Sequence, residues 1–344
     1  MVSPSPDPFR PQGSRPTGHD VARLAGVSQA TVSLVFSGRS GRRVSEATRE
    51  RVRQAAHELG YQPQATARQL RLGRTGLLLL TVPDIRGPFF ARVLASAHDA
   101  AQSRGLTIVV SSNWNGETLS RITLAHQFDG LLVCSPRDCQ VSRLPPHVPV
   151  VLLDSDPQLM APGRGVLPLD VADGMRQAVR HLIELGHDRI GHLRYSRASH
   201  TFRVRQAAFE EETRGLQVTE RSVGEGEGVE ITRVAAQELL GTPDRPDAVI
   251  CDDDVAAAGI YHAAFELGLR IPEDLSVVGI DNLDTAMFFT PSLTTVDLPG
   301  EELGRRGVEA LAALLRGEES RPLSTVETQL VVRRSTAVPS RSRT

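Results

Sequence analysis

Lysine is absent from all 344 residues, so every permanent positive side chain is an arginine. Chemistry that requires a lysine amine, including Schiff-base formation and the Walker phosphate loop, is therefore excluded. Cysteine is scarce. Cys134, Cys139 and Cys251 are an odd number without zinc-ligand spacing, which reads as buried reduced thiols rather than a disulfide framework. Aromatics make up only 4% of the chain, so a core has to be built from Val, Leu, Ile and Ala, as in an α/β protein. No apolar run is long enough to span a bilayer, and the Pro-rich start MVSPSPDPFRPQGSRPTG lacks the apolar stretch of a signal peptide. The expectation is a cytoplasmic chain with no membrane partner. Neither G-x-S-x-G nor H-E-x-x-H occurs, and GEGEG does not fit the dinucleotide fingerprint. His181, His187 and His192 lie on different elements from the triple aspartate of CDDD, so no metal, no cofactor and no catalytic apparatus is expected.

What is present is unevenly distributed. Residues 1–75 carry twelve Arg against five acidic residues, whereas the remainder carries twenty-seven against thirty-six. A basic head on an acidic body suits a phosphate-binding module joined to a soluble domain. Thr17 is spaced to cap a helix with Asp20 at its third position, and Val21, Leu24 and Ala25 share a face until Gly26 stops it. Ser28 caps a second helix bearing Val32, Val35 and Phe36; Ser45 caps a third, bearing Val52, Ala55, Ala56 and Leu59 before Gly60. Two short helices around a tight glycine turn make a helix-turn-helix. The first turn of the second helix would enter a major groove, which makes Gln29, Ala30 and Leu34 the base-facing candidates, with Arg39, Arg42, Arg43 and Arg49 directed at phosphates. Residues 64–72 have helical potential but are too few to form a stable helix alone in water.

The stretches GHDVARLAGVSQATVSLVFSG, VSEATRERVRQAAHELGYQP and ATARQLRLGRTG resemble the head of the LacI-type (LacI/GalR) bacterial transcriptional regulators, and the resemblance continues along nearly the whole chain. It implies a homodimer reading a near-palindromic double-stranded DNA operator, with Thr17, Ser28, Gln29, Ala30, Thr31, Ser33, Leu34 and Arg43 at the duplex. It also implies a hinge that folds on the operator, where Leu70 wedges into the minor groove beside Ala67, Arg68 and Arg71.

From Thr75 onward, strands such as LLLLTV, GLLVCS, PVVLLDS, VLPLD, RIGHLR, DAVICD and LSVVGID alternate with amphipathic helices, in two successive series. This pattern implies parallel sheets covered on both faces. In open α/β sheets ligands lie beyond the C-terminal ends of the strands, a rule that selects Asp84, Asp154, Asp252 to Asp254 and Asp281. Asp254 is expected to cap the helix beginning at Val255. Through the resemblance, PDIRGPFF is a ligand loop ending in Phe89 and Phe90, FRVRQAAF places Arg205 on the ligand, and CDDD and VVGIDN do the same for Asp253 and Asp281.

The fold class expected is therefore α/β, with a small all-α helix-turn-helix head and a two-subdomain, periplasmic-binding-protein-like body of parallel sheets. The resemblance adds that the chain crosses between the subdomains three times. The organisation expected is a disordered tail over 1–16, the head over 17–61, a hinge over 62–74, an effector-binding and dimerisation domain over 75–337, and a disordered tail over 338–344. Arginine with carboxylates can hold vicinal hydroxyls, because one donates where the other accepts. The small-molecule effector is accordingly expected to be a sugar or sugar derivative, and the chain a repressor that this effector controls. The alternative reading is a sugar-binding sensor that does not engage DNA.

Overall fold

The computed structural model describes residues 16–36, 44–61, 74–112, 128–224 and 229–340, and the chain forms two compact units, residues 1–75 and 76–344. In the first unit, α1 (Gly18–Ala25), α2 (Gln29–Phe36) and α3 (Glu46–Glu58) enclose a core of Val21, Ala22, Ala25, Val32, Val35, Val52, Ala55 and Ala56. The Asp20 carboxylate accepts from the Thr17 backbone N–H at 2.9 Å and from its hydroxyl at 2.8 Å. Gly26 ends α1 at φ +65°, a left-handed conformation that costs glycine little. Ser28 then accepts from the Thr31 N–H at 3.2 Å and starts the next helix. The expected face of α1 needs one correction: Leu24 is 50% exposed and Ala22 takes its place. Three short helices offer α1 a narrow contact, and only positions 21, 22 and 25 fall inside it.

The second unit holds two sheets. The first contains β1 (Leu77–Val82), β2 (Thr107–Ser112), β3 (Gly130–Cys134), β4 (Val150–Leu153) and β5 (Arg164–Leu167), all parallel in the order β2-β1-β3-β4-β5. Helix α4 (Pro88–Gln102) joins β1 to β2. The second sheet contains β6 (Arg189–Arg194), β7 (Gln217–Ser222), β8 (Ala248–Cys251), β9 (Ser276–Asp281), β10 (Thr294–Asp297) and β11 (Gln329–Val331), in the order β11-β10-β9-β8-β6-β7. Only β11 runs antiparallel to its neighbour. Helices α5 (Val171–Glu184), α6 (His200–Glu212), α7 (Val229–Leu240) and α8 (Asp254–Glu266) alternate with these strands. The chain leaves the first sheet after β5, returns to it through α9 (Gly300–Leu315), and ends on the second as β11.

Strand β5 begins at Arg164, ahead of the expected VLPLD, and two strands appear that hydropathy did not mark. One is β7, QVTERS, a polar edge strand that buries no residue; the other is the four-residue β10, TTVD. Both tails' outer residues and hinge residues 62–73 lie outside the described residues.

Helix α9 reaches the first sheet closely because it presents glycines. A Cβ on Gly304 would lie 2.2 Å from Ser96 Oγ and 2.3 Å from the Val93 carbonyl oxygen of α4, and one on Gly307 would lie 2.6 Å from Leu153. The backbone oxygen cannot rotate away as a side chain could. Gly304→Val is therefore expected to destabilise the second unit by about 1–3 kcal/mol through overpacking. Urea unfolding measures this directly, and unchanged stability would contradict the close approach.

Candidate functional site

Parallel strands of one sense bring their C-terminal ends to one edge, and in the second unit a cavity of about 680 Å³ lies at those ends. Asp84 follows β1, Ser135 follows β3, Asp154 follows β4, Tyr195 and Arg197 follow β6, Asp253 follows β8, and Asp281 ends β9. Phe89 and Phe90 enter from the first turn of α4, and Arg205 from α6. All seven expected ligand residues, Asp84, Phe89, Phe90, Asp154, Arg205, Asp253 and Asp281, line this one cavity.

Its centre is electrostatic. Arg205 is buried; its Nη1 donates to the Asp252 carbonyl at 2.8 Å, and its Nε has no hydrogen-bond partner among the described residues. The Phe202 ring lies 5.5 Å from the guanidinium. Asp252 accepts from the Tyr195 backbone N–H at 2.7 Å and meets His192 Nε2 at 3.2 Å. Burial raises its pKa, but His192 and Arg205 outweigh that, and its carboxyl stays below the usual range. Asp253 accepts from the Ala256 N–H and from Tyr195 Oη at 3.3 Å, and burial pushes it up to about 6. Asp281 is raised well above the ordinary value by burial and by the facing Asp253 and Asp254. One wall thus sets carboxyl acceptors beside the N–H donors of the Arg205 guanidinium, so it both accepts and donates.

Backbone strain marks three of these positions. Asp281 has φ +112°, Asp154 has φ +50° and Ser135 has φ +44°, conformations that a residue with a Cβ adopts at a cost. Arg92 of α4 donates through Nη1 to the Asp281 carbonyl at 2.8 Å and is itself held by both oxygens of Glu301. Asp154 accepts from Ser135 Oγ at 2.6 Å and from Thr201 Oγ1 of α6 at 2.7 Å, so its carboxylate joins the two halves of the cavity. Asp84 is held low by the hydrogen-bonded Arg86 guanidinium.

The cap of α8 differs from expectation. Asp253, at φ −154°, is the N-cap, whereas Asp254 lies within the first turn and is buried, accepting from Thr295 Oγ1 at 2.6 Å and the Leu283 N–H at 2.8 Å. Sequence reasoning missed Tyr195, Arg197 and Phe202, which form one aromatic corner: the Arg197 guanidinium lies 5.0 Å from the Tyr195 ring and 5.7 Å from that of Phe202. Burial lowers the pKa of Arg197. The signal was present, since YSR directly follows RIGHLR; a search confined to aspartates passes over it.

In the first unit, Thr17, Ser28, Gln29, Ala30 and Ser33 are exposed, and Thr31 is half-buried. Leu34 is half-buried and packs against the head's core, so it stands less clear of the surface than Gln29 and Ala30. Arg49 pairs with Glu46 at 2.9 Å. Arg39, Arg42 and Arg43, and the hinge residues Ala67, Arg68, Leu70 and Arg71, lie outside the described residues.

Burial pushes Asp254 from its ordinary 3.8 up to about 7. The unfolded chain releases this proton first, so the group's stability contribution is present at low pH and is lost as pH rises through about 7. The stability of wild type relative to Asp254→Asn is therefore expected to fall as pH rises from about 4 to about 8. Urea unfolding of both proteins across that range tests it, and a pH-independent difference would contradict the assignment.

Comparison with known proteins agrees with this architecture. Residues 17–64 match the bacterial regulatory proteins of the lacI family, and residues 179–336 match the periplasmic binding protein-like domain. The HTH-type transcriptional repressor CytR of Escherichia coli (strain K12) is 32% identical over 337 residues, covering 94% of this chain and 97% of its own. The lac repressor dimer bound to operator and the anti-inducer ONPF superposes with a TM-score of 0.80 at 29% identity, over 94% of this chain and all of that one. The transcriptional regulator CelR in complex with cellobiose gives a TM-score of 0.68 at 30% identity, over 93% and 100% of the two chains. With a glycine-turned helix pair in its first unit and a charged cavity at the strand ends of its second, the chain belongs to the lacI family of bacterial regulatory proteins.

Proposed function

We propose that the chain is a cytoplasmic, homodimeric repressor whose affinity for a near-palindromic operator is set by a sugar or sugar derivative held in the 680 Å³ cavity. The observation that carries this reading is the union, in one chain, of an exposed helix start at Ser28–Ala30 with a cavity whose wall both donates and accepts. A sugar offers hydroxyls that do both, and its apolar ring faces suit Phe89, Phe90 and Phe202. Arg205 grips hydroxyl oxygens while Asp253 and Asp281 take hydroxyl hydrogens. The similarity to a regulator solved with cellobiose supports the choice of ligand class, and the similarity to a repressor dimer on its operator supports the DNA role and the pairing.

Thr17, Ser28, Thr31, Ser33 and Arg43 serve to position the head on the duplex, and Gln29 and Ala30 read base edges, with glutamine suited to adenine. Leu70 acts as the central wedge, flanked by Ala67, Arg68 and Arg71. A ligand that binds one arrangement of the body better than the other shifts operator affinity by that difference, typically about 1–3 kcal/mol. The sign proposed is relief of repression.

Gel-shift titration of operator selected from a random DNA pool, with and without sugars and nucleobases, tests the whole reading. A sugar is expected to weaken binding, and indifference to every compound tried contradicts effector control. Duplex affinity is expected to fall about a thousandfold or more between about 50 and 200 mM salt if six or more phosphates are contacted. A flat salt profile would return the chain to the rank of a sensor that ignores DNA. Leu70→Ala is expected to lose operator affinity while sugar affinity stays unchanged, and full operator binding by that variant removes the wedge.

A further inference from the structure

Five carboxyl groups line the effector cavity, and four of them accept hydrogen bonds that fix their place. Asp84 is met by Arg86, Asp154 by Ser135 and Thr201, Asp252 by His192 and the Tyr195 N–H, and Asp253 by Tyr195 Oη and the Ala256 N–H. The fifth, the carboxyl of Asp281, accepts no hydrogen bond among the described residues. Its place is therefore set by its backbone.

That backbone is strained twice over. Asp281 has φ +112° and Asn282 follows at φ +52°, so two successive residues with a Cβ hold conformations that glycine favours, and contacts from elsewhere have to keep them there. The Asn282 and Leu283 N–H groups donate to Thr295 Oγ1 at 3.2 Å and to Asp254 at 2.8 Å, and the Asn282 amide donates to Asp297 at 3.0 Å. These holds all belong to the second sheet and its helix α8. The Asp281 carbonyl is held from the other side of the cavity, by Arg92 Nη1 of α4 at 2.8 Å.

Arg92 is itself firmly aimed. Its Nε and Nη2 donate to the two oxygens of Glu301 at 2.7 and 2.8 Å, and a two-point pair of this kind fixes the plane of the guanidinium. The same hydrogen bonding holds the Glu301 carboxyl below its ordinary range. At the crossing from β10 to α9, a Cβ on Gly300 would lie 3.2 Å from Arg92 Cβ and 3.4 Å from the Phe89 ring, so the start of α4 rests directly on the crossing. Arg92 does not line the cavity.

We propose that Arg92 is a positioning residue of the effector site: by gripping the Asp281 carbonyl it keeps in place the one cavity carboxyl that has no hydrogen bond of its own, and so sets effector affinity from outside the cavity. The effector role rests on the reading given above; the grip on Asp281 does not.

Two measurements on the full chain test this in wild type, Arg92→Met and Arg92→Lys. Hydrogen exchange without DNA or effector reads the grip. Arg92→Met is expected to speed exchange of the Asn282 and Leu283 amides at least about tenfold, the worth of a hydrogen bond from a charged group, while β8 is unchanged. Gel-shift titration of the selected operator with glucose, ribose, cellobiose and adenine reads the site. The half-effect concentration of the compound that acts on wild type is expected to rise about tenfold in Arg92→Met, with operator affinity in its absence within about twofold of wild type. Arg92→Lys keeps a charged donor and is expected to recover most of both losses. A variant that is merely looser would exchange faster throughout and bind operator differently with no compound present. If Arg92→Met does not fold, Glu301→Ala decides, since an unanchored guanidinium is expected to give both changes at about threefold. Unchanged exchange at Asn282 and Leu283, or faster exchange with an unmoved half-effect concentration, overturns the proposal. A wild type that answers only to adenine overturns the sugar reading, and a tenfold rise for adenine still supports the role of Arg92. Indifference of the wild type to all four compounds overturns both.

Discussion

The body is organised around a buried guanidinium, Arg205, set against the carboxylates of Asp252, Asp253 and Asp281. A charge removed from water has to be met by partners, and a cavity lined by such groups cannot close into an apolar contact without leaving them unsatisfied. Arg205 spends one N–H on the Asp252 carbonyl and keeps Nε without a partner among the described residues. The result is a polar cavity held open between two apolar sheets. Its acceptors and donors are fixed before any ligand arrives, which spares a bound molecule the cost of arranging them.

The rest of the second unit holds those groups in place. Strands buried on both faces, such as β3 and β4, are continuous apolar runs, and their common direction delivers the polar residues that follow them to one edge. Glycines let α9 lie against α4, and the same helix carries Glu301, which grips Arg92 and through it the strained backbone of Asp281. Asp154, bonded to hydroxyls on both halves, is a further tie across the cavity. Several residues that face the proposed ligand are thus also contacts between the halves, so a molecule that disturbs them changes how the halves meet.

Much of this was legible in the sequence where a local rule applied. Helix caps at Ser28 and Ser45 and the left-handed Gly26 follow from side-chain chemistry within a few residues, and each appears in the head. Aspartates that end apolar strands identified cavity residues on both sheets for the same reason. Where several residues satisfied one rule, the sequence could not choose. Asp253 and Asp254 are both good caps, and only the extended backbone at Asp253 decides between them. Tyr195 and Arg197 escaped because their role depends on a ring and a guanidinium meeting Phe202 from another element. Leu24 looked internal by spacing, but among the described residues of the head nothing covers half of it. Strand β7 was invisible because a polar edge strand carries no hydrophobic pattern.

Control of DNA binding from the cavity is, physically, an exchange of free energy between two sites, and such exchange is reciprocal. The most direct test is the dissociation constant of an identified sugar, measured by calorimetry on the free chain and again on the chain saturated with operator. The account predicts weaker sugar binding to the operator complex, by the same factor as the sugar weakens operator binding. Identical constants in the two states would contradict it.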